Sequence, residues 1–333
     1  MKIVVGSYTS LRGPGLCLVE MMGERLLKIG KTDVLQEAIW AEKSKHRPVI
    51  FAAGAQADGR HTRVASFLVQ EDGFMLLSSQ ESDGVECCHL CLDDAEKFLY
   101  AANYGDGSIS VFPVGTDGRI GPCMQQVKRH TPLGPRADRQ EENHAHQVTF
   151  RPGSRELFVC DLGADTVAIY CAGDDGWLSP MAEISCVPGS GPRHLSFDGA
   201  NAFYLVGELD SSLSRYEYDG DTWIRAQHLS ALPETGVAVQ NTAAAIRQDA
   251  HHVYVSNRGY DSIAVFGKGN NGRLTQPYFI RTPGMCPRDF LLLGSGFLLA
   301  HQQSGTVTVI NENGVPVAQT AIAGAVSLLP MDL

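Results

Sequence analysis

One unit recurs along this chain. An apolar strand ends in a polar pair, a Gly/Asp/Ser turn follows, and a second alternating strand leads away. Clear copies are Leu99–Phe112 (LYAANYGDGSISVF), Leu157–Tyr170 (LFVCDLGADTVAIY), Phe203–Tyr218 (FYLVGELDSSLSRYEY), Val253–Phe266 (VYVSNRGYDSIAVF) and Leu298–Ile310 (LLAHQQSGTVTVI). A repeat constrains the architecture more than composition does, because each copy must bury its apolar faces against the next. The residues that close the first strand of each copy are Ser7, Gly54, Asn103, Asp161, Glu208, Asn257 and His301, spaced by 47, 49, 58, 47, 49 and 44. A period of about 40–50 residues with four strands per unit predicts propeller blades. Helical repeats are excluded, because the hydrophobic alternation on either side of each turn has period two.

The expected fold is therefore all-β, a seven-bladed β-propeller of four-stranded antiparallel blades. In the fifth copy, strand A is read as His194–Phe197, B as Phe203–Glu208, C as Leu213–Tyr218 and D as lying near Ile224–Leu229. The first copy begins at its B strand, Lys2–Ser7. Ala325–Leu329 reads as an unpaired A strand that completes blade one, closes the ring and removes two exposed sheet edges. With no linker and no shift in composition, residues 1–333 are expected to form a single domain. Asp117-Gly118, Asp175-Gly176 and Asn271-Gly272 read as hairpin turns between strands C and D. The 58-residue spacing contains the polar segment 128–143 (KRHTPLGPRADRQEEN), a loop long enough to cover a site.

Bulk properties narrow the function. A formal charge of −10 argues against nucleic acid or an anionic membrane as partner. No apolar run approaches the ~18–20 residues of a membrane helix. The opening MKIVVGSYT is better read as a strand than as a secretory signal. Nine cysteines without framework spacing fit reduced thiols and a cytoplasmic location. No P-loop or dinucleotide fingerprint is present, so no cofactor is expected. His144-Ala-His146 and Cys88-His-Leu-Cys91 lack further ligands at metal spacing, so no metal is expected either.

In a propeller, strand A lines the central channel and pairs antiparallel with B, so the start of A and the end of B meet at one rim. The A starts contain Cys88-His89, His144-Ala-His146, Arg193-His194, Asn241-Thr242 and Arg288-Asp289. The B ends contain Asn103-Tyr104, Asp161, Glu208, Asn257-Arg258 and His301-Gln302. One channel mouth thus gathers arginines that can hold anionic oxygens and His and carboxylate groups that can move protons. Asn103 and Asp161 also open tight turns, a backbone role that competes with any chemical one.

The runs Arg139–Val148 (RQEENHAHQV), DLGADTV, GSGPRHLSF, Glu208-Leu209, VSNRGYDSIAVF and PRDF resemble signatures of the seven-bladed propeller lactonase family. That family includes bacterial propeller-type 6-phosphogluconolactonases and the fungal carboxy-cis,cis-muconate lactonizing enzyme. The resemblance implies His146, Arg193, Glu208 and Arg258 as catalytic residues. Arg288, Asp161, His194, Asn103, Asn257 and His144 are the expected substrate-binding set. The expected partner is a small anionic lactone or carboxylate. The implied reaction is hydrolysis of a sugar lactone, above all 6-phospho-D-glucono-1,5-lactone in the pentose phosphate pathway. His146, Glu208 or both would activate water, Arg193 or Arg258 would stabilise the oxyanion, and the remaining arginine with Arg288 would hold the phosphate. A cyclising isomerase acting on carboxymuconate, and a non-catalytic binding scaffold, are the alternatives.

Overall fold

In the computed structural model, residues 1–58, 60–234 and 240–331 are described. The described chain is almost entirely strand, and its only helical element is the short 3-10 turn Thr9–Leu11. None of its helices is long and apolar enough to cross a membrane.

The strands form five separate four-stranded antiparallel sheets and one eight-stranded sheet. The sheet of Pro192–Phe197, Ala202–Gly207, Ser212–Tyr218 and Trp223–Ser230 shows the pattern. Its strands follow one another in order, joined by short hairpins, within two residues of the bounds read from the sequence. The eight-stranded sheet departs from the expectation of wholly separate blades. Its two halves meet at Lys2–Ser7 and Gln36–Lys43, which share only the pair Ser7↔Ala38. Gly6 permits this approach, because a Cβ there would lie 2.5 Å from the Ala38 carbonyl oxygen and 2.3 Å from Ser327 Oγ. Lys2–Ser7 also pairs with Ala325–Pro330 in five register positions, from Ile3↔Pro330 to Ser7↔Ala325.

The core lies between neighbouring sheets. Phe158, Phe203 and Tyr216 fill one such seam, with Phe203 stacked on Tyr216 at 5.0 Å. Another seam joins the two ends of the chain, packing Ile3, Val5 and Val19 against Leu298, Val307 and Leu328. Polar fasteners cross the seams as well. Gln125 donates to the Leu178 carbonyl and accepts from the Leu178 amide, and Gln227 does the same with Leu274.

The turns between strands B and C explain part of the repeat. Asp165, Ser211 and Asp261 occupy the same turn position, all with left-handed backbone (φ 52°, 55° and 48°). Asp165 accepts from the amides of Gly189 and Gly191, and Asp261 from that of Cys286. The second aspartate of DLGADTV and the aspartate of SNRGYDSI therefore fix the segment leading into the next blade's inner strand. The 128–143 segment is irregular, as expected. It is also firmly pinned: Gly134 donates to Gly163 O, while the Gln140 amide donates to Leu162 O and accepts from the Arg136 amide.

Candidate active site

A cavity of about 510 Å³ opens at the mouth where inner strands begin and second strands end. Cys88, His146 and Arg288 reach it from inner strands, and Tyr104, Glu208 and Arg258 from the ends of second strands. Antiparallel pairing makes these positions neighbours, so residues some 200 apart in sequence face one space. The cavity has a floor. Trp40 stacks on His89 with ring centres 4.1 Å apart, and His194 packs edge-on against Trp40, His89 and His146 at 5.6, 5.4 and 5.2 Å.

Glu208 is the centre of the cluster and is only 3% exposed. Its Oε2 accepts from Arg193 Nε at 3.0 Å and pairs with Arg258 Nη2 at 2.9 Å. Its Oε1 accepts from Arg139 Nη2 at 2.8 Å. His146 Nε2 lies 3.8 Å from Oε2, and the other ring nitrogen lies 3.9 Å from Cys88 Sγ. Backbone carbonyls fix two of the arginines. Arg193 Nη1 donates to Ala244 O at 2.8 Å, and Arg258 Nη2 to Ala243 O at 3.1 Å.

This arrangement sets the protonation states. Burial would raise the Glu208 carboxyl, but the Arg258, Arg193 and Arg139 guanidinium groups together hold it well below the usual carboxylate range. Burial pushes His146 well below the ordinary imidazole value, and Arg193 pushes the same way, against the pull of Glu208. Burial, with repulsion from Arg258, lowers Arg193 to about 9. Glu208 is therefore an ionised organiser whose lone pairs are engaged by guanidinium donors. His146 is a neutral imidazole at the cavity wall.

The residues expected at the mouth divide into two groups. His146, Glu208, Arg258 and Arg288 line the cavity. Arg193 stands behind Glu208, 3% exposed, and borders a much smaller void beneath. The other five do not line the cavity. His194 belongs to the ring-stacked floor. His144 turns its ring against Tyr104 (4.3 Å, 10° between planes) and donates from Nδ1 to Tyr104 O. Asn103 is fully buried among Thr62, Ser108 and Ser110. Asn257 donates to Ala231 O and Ser262 Oγ. Asp161 accepts from the amides of His144 and Ala164 and from Asn143 Nδ2. His144, Asn257 and Asp161 thus satisfy backbone groups, whereas the Asn103 side chain bonds side-chain hydroxyls.

Two contributors lie outside the expected catalytic and substrate-binding sets, Arg139 and Tyr104, although the repeat places Tyr104 at the rim. Tyr104 Oη accepts from Arg139 Nη2 at 3.1 Å, and Tyr104 packs edge-on to His146 at 5.5 Å. Arg139 belongs to a recognised motif run, but the polar loop around it also holds Lys128, Arg129 and Arg136. Only tertiary contacts distinguish them: Arg129 pairs with Glu183, and Arg136 with Asp138.

Comparison with known proteins agrees with this architecture. The family described as "Lactonase, 7-bladed beta-propeller" matches residues 2–316. The 6-phosphogluconolactonase of Bacillus subtilis (strain 168) is 31% identical, over 97% of this chain and 95% of its own. A crystal structure of a Lactobacillus plantarum protein superposes with a TM-score of 0.89 at 27% identity, covering 98% of each chain. A putative 6-phosphogluconolactonase from Bacteroides fragilis superposes at 0.88 with 24% identity, over 98% of this chain and 97% of its own. The chain belongs to the propeller lactonase family.

Proposed function

We propose that the protein hydrolyses a sugar lactone at this mouth, and that its substrate is 6-phospho-D-glucono-1,5-lactone. The observation that supports this best is a neutral imidazole, His146, beside a carboxylate that gathers three arginines at one cavity. The substrate follows the Bacillus subtilis relative's name. His146 takes a proton from water as the water oxygen attacks the lactone carbonyl, with Arg258 facing the developing oxyanion. Collapse breaks the bond to the ring oxygen, which leaves with the proton returned by His146, and the new acid ionises. Glu208 keeps the arginines in place rather than acting as the base, because both of its oxygens are already held by guanidinium donors.

We also read the eight-stranded sheet as two blades joined at one pair. That gives seven blades in a single propeller, closed by Ala325–Pro330 on Lys2–Ser7. The free thiols of all nine cysteines favour a reducing compartment, the cytoplasm.

The test is acceleration of 6-phosphogluconolactone hydrolysis over the spontaneous rate. His146→Asn and Arg258→Ala should each lose about 10²-fold or more. The pH dependence of kcat/KM should lack an inflection at about 6.5, the value of a free imidazole, because burial keeps His146 neutral below it. A wild-type rate equal to that of buffer would refute the reading. Carboxymuconate cyclisation would use the same three guanidinium groups as carboxylate clamps, and the same preparation assayed on that substrate separates the two.

A further inference from the structure

The arginines around Glu208 are not equivalent. Arg193 is buried behind Glu208, with Nε on Glu208 and Nη1 on Ala244 O and beside the His194 ring. Arg258 shares Nη2 between Glu208 and Ala243 O. Arg288 donates from Nη1 to Gln302 Oε1 and lies over the Tyr8 ring at 5.3 Å. Arg139 differs on two counts. It comes from the 128–143 segment rather than from a blade strand. Like Arg258, it meets both its partners, here Glu208 Oε1 and Tyr104 Oη, through Nη2 alone, but the unbonded Nε of Arg258 is buried whereas the Arg139 side chain is open to the cavity. Its Nη1 and Nε make no hydrogen bond among the described residues, and its side chain is 35% exposed at the cavity wall, against 3% for Arg193 and 13% for Arg258.

Charge points the same way. Three guanidinium groups contact the single carboxylate of Glu208, so this part of the wall is positive, while Arg288, Glu37 and Glu86 line the rest of the cavity. An anion is drawn to that part of the wall, and a phosphate oxygen pair matches the free edge of a guanidinium fork. We propose that Arg139 is the specificity-determining residue, selecting ligands that bear a doubly charged phosphate away from the reacting carbonyl. This deepens the lactonase reading above and rests on it. Arg193 and Arg258 stay with Glu208, while Arg139 turns its unused edge to the phosphate.

The experiment is calorimetric binding of 6-phosphogluconate and of gluconate to the full chain, to Arg139→Ala and to Arg139→Lys, with circular dichroism confirming that each is folded. The wild type should prefer the phosphorylated acid. Arg139→Ala should shrink that preference about 10- to 100-fold, the worth of a charge-assisted pair. Arg139→Lys should restore only part of it, since a point charge lacks the fork. An unchanged preference in Arg139→Ala, equal weakening toward both acids, or no preference in the wild type overturns the proposal. A preference that depends on Arg139 in a protein that hydrolyses no lactone upholds the selection and sinks the lactonase reading instead.

Discussion

At the scale of single residues, the site is an electrostatic compromise centred on Glu208. A carboxylate this deep is tolerated because three guanidinium groups bond it, and those groups tolerate one another because it lies between them. Glu208→Gln should therefore cost about 3–5 kcal/mol at neutral pH, the usual effect of breaking a buried ion pair. The sign of the pH dependence follows. A carboxyl depressed in the folded state adds stability above its unfolded value of about 4.3 and loses it as pH falls toward the folded value. Wild-type and Glu208→Gln melting temperatures should thus converge as pH is lowered from 7 to 3. Curves that stay parallel would mean that Glu208 contributes nothing through its charge. His146, Glu208, Arg258 and Arg288 could be read from the sequence because rim geometry follows from the repeat. Asn103, Asp161 and Asn257 share that rim in sequence, yet their side chains turn inward, and sequence cannot distinguish a turn-capping Asx from a ligand-binding one.

At the scale of the element, the turn between strands B and C does two jobs. It reverses the chain through a left-handed residue, and it offers a carboxylate to the amides of the next segment, as Asp165 does for Gly189 and Gly191. Asp165→Ala loses the acceptor and keeps the unfavourable backbone, whereas Asp165→Gly loses only the acceptor. Urea unfolding should show both destabilised, with the alanine variant worse by about 1 kcal/mol. Equal costs would assign the whole effect to the lost hydrogen bonds. The 128–143 segment shows a further limit of local reading. It was legible as a loop by its prolines and charge. Which of its basic residues turns into the cavity is seen only in contacts outside the segment, those of Arg139 with Tyr104 and Glu208.

At the scale of the whole molecule, the two chain ends are held together, Lys2–Ser7 against Ala325–Pro330, with a shared apolar seam behind them. Removing residues 325–333 should expose an edge on Lys2–Ser7 and leave Ile3 and Val5 without part of their cover. The expected result is aggregation or a melting temperature lowered by many degrees, read by size exclusion and calorimetry. A truncated chain as stable and monodisperse as the parent would show that the ring does not depend on this strand. By itself, the sequence determined the repeat, the strands and the rim to which the polar pairs converge, because alternation and spacing are local properties that survive without knowledge of contacts. Only the tertiary structure decided which rim residues reach the cavity, that Arg139 joins them from a loop, that Trp40, His89 and His194 close the floor, and that guanidinium groups hold both oxygens of Glu208. Those outcomes depend on side-chain direction, burial and the summed field of charges brought together from several blades, and none of these is written at any one position of the chain.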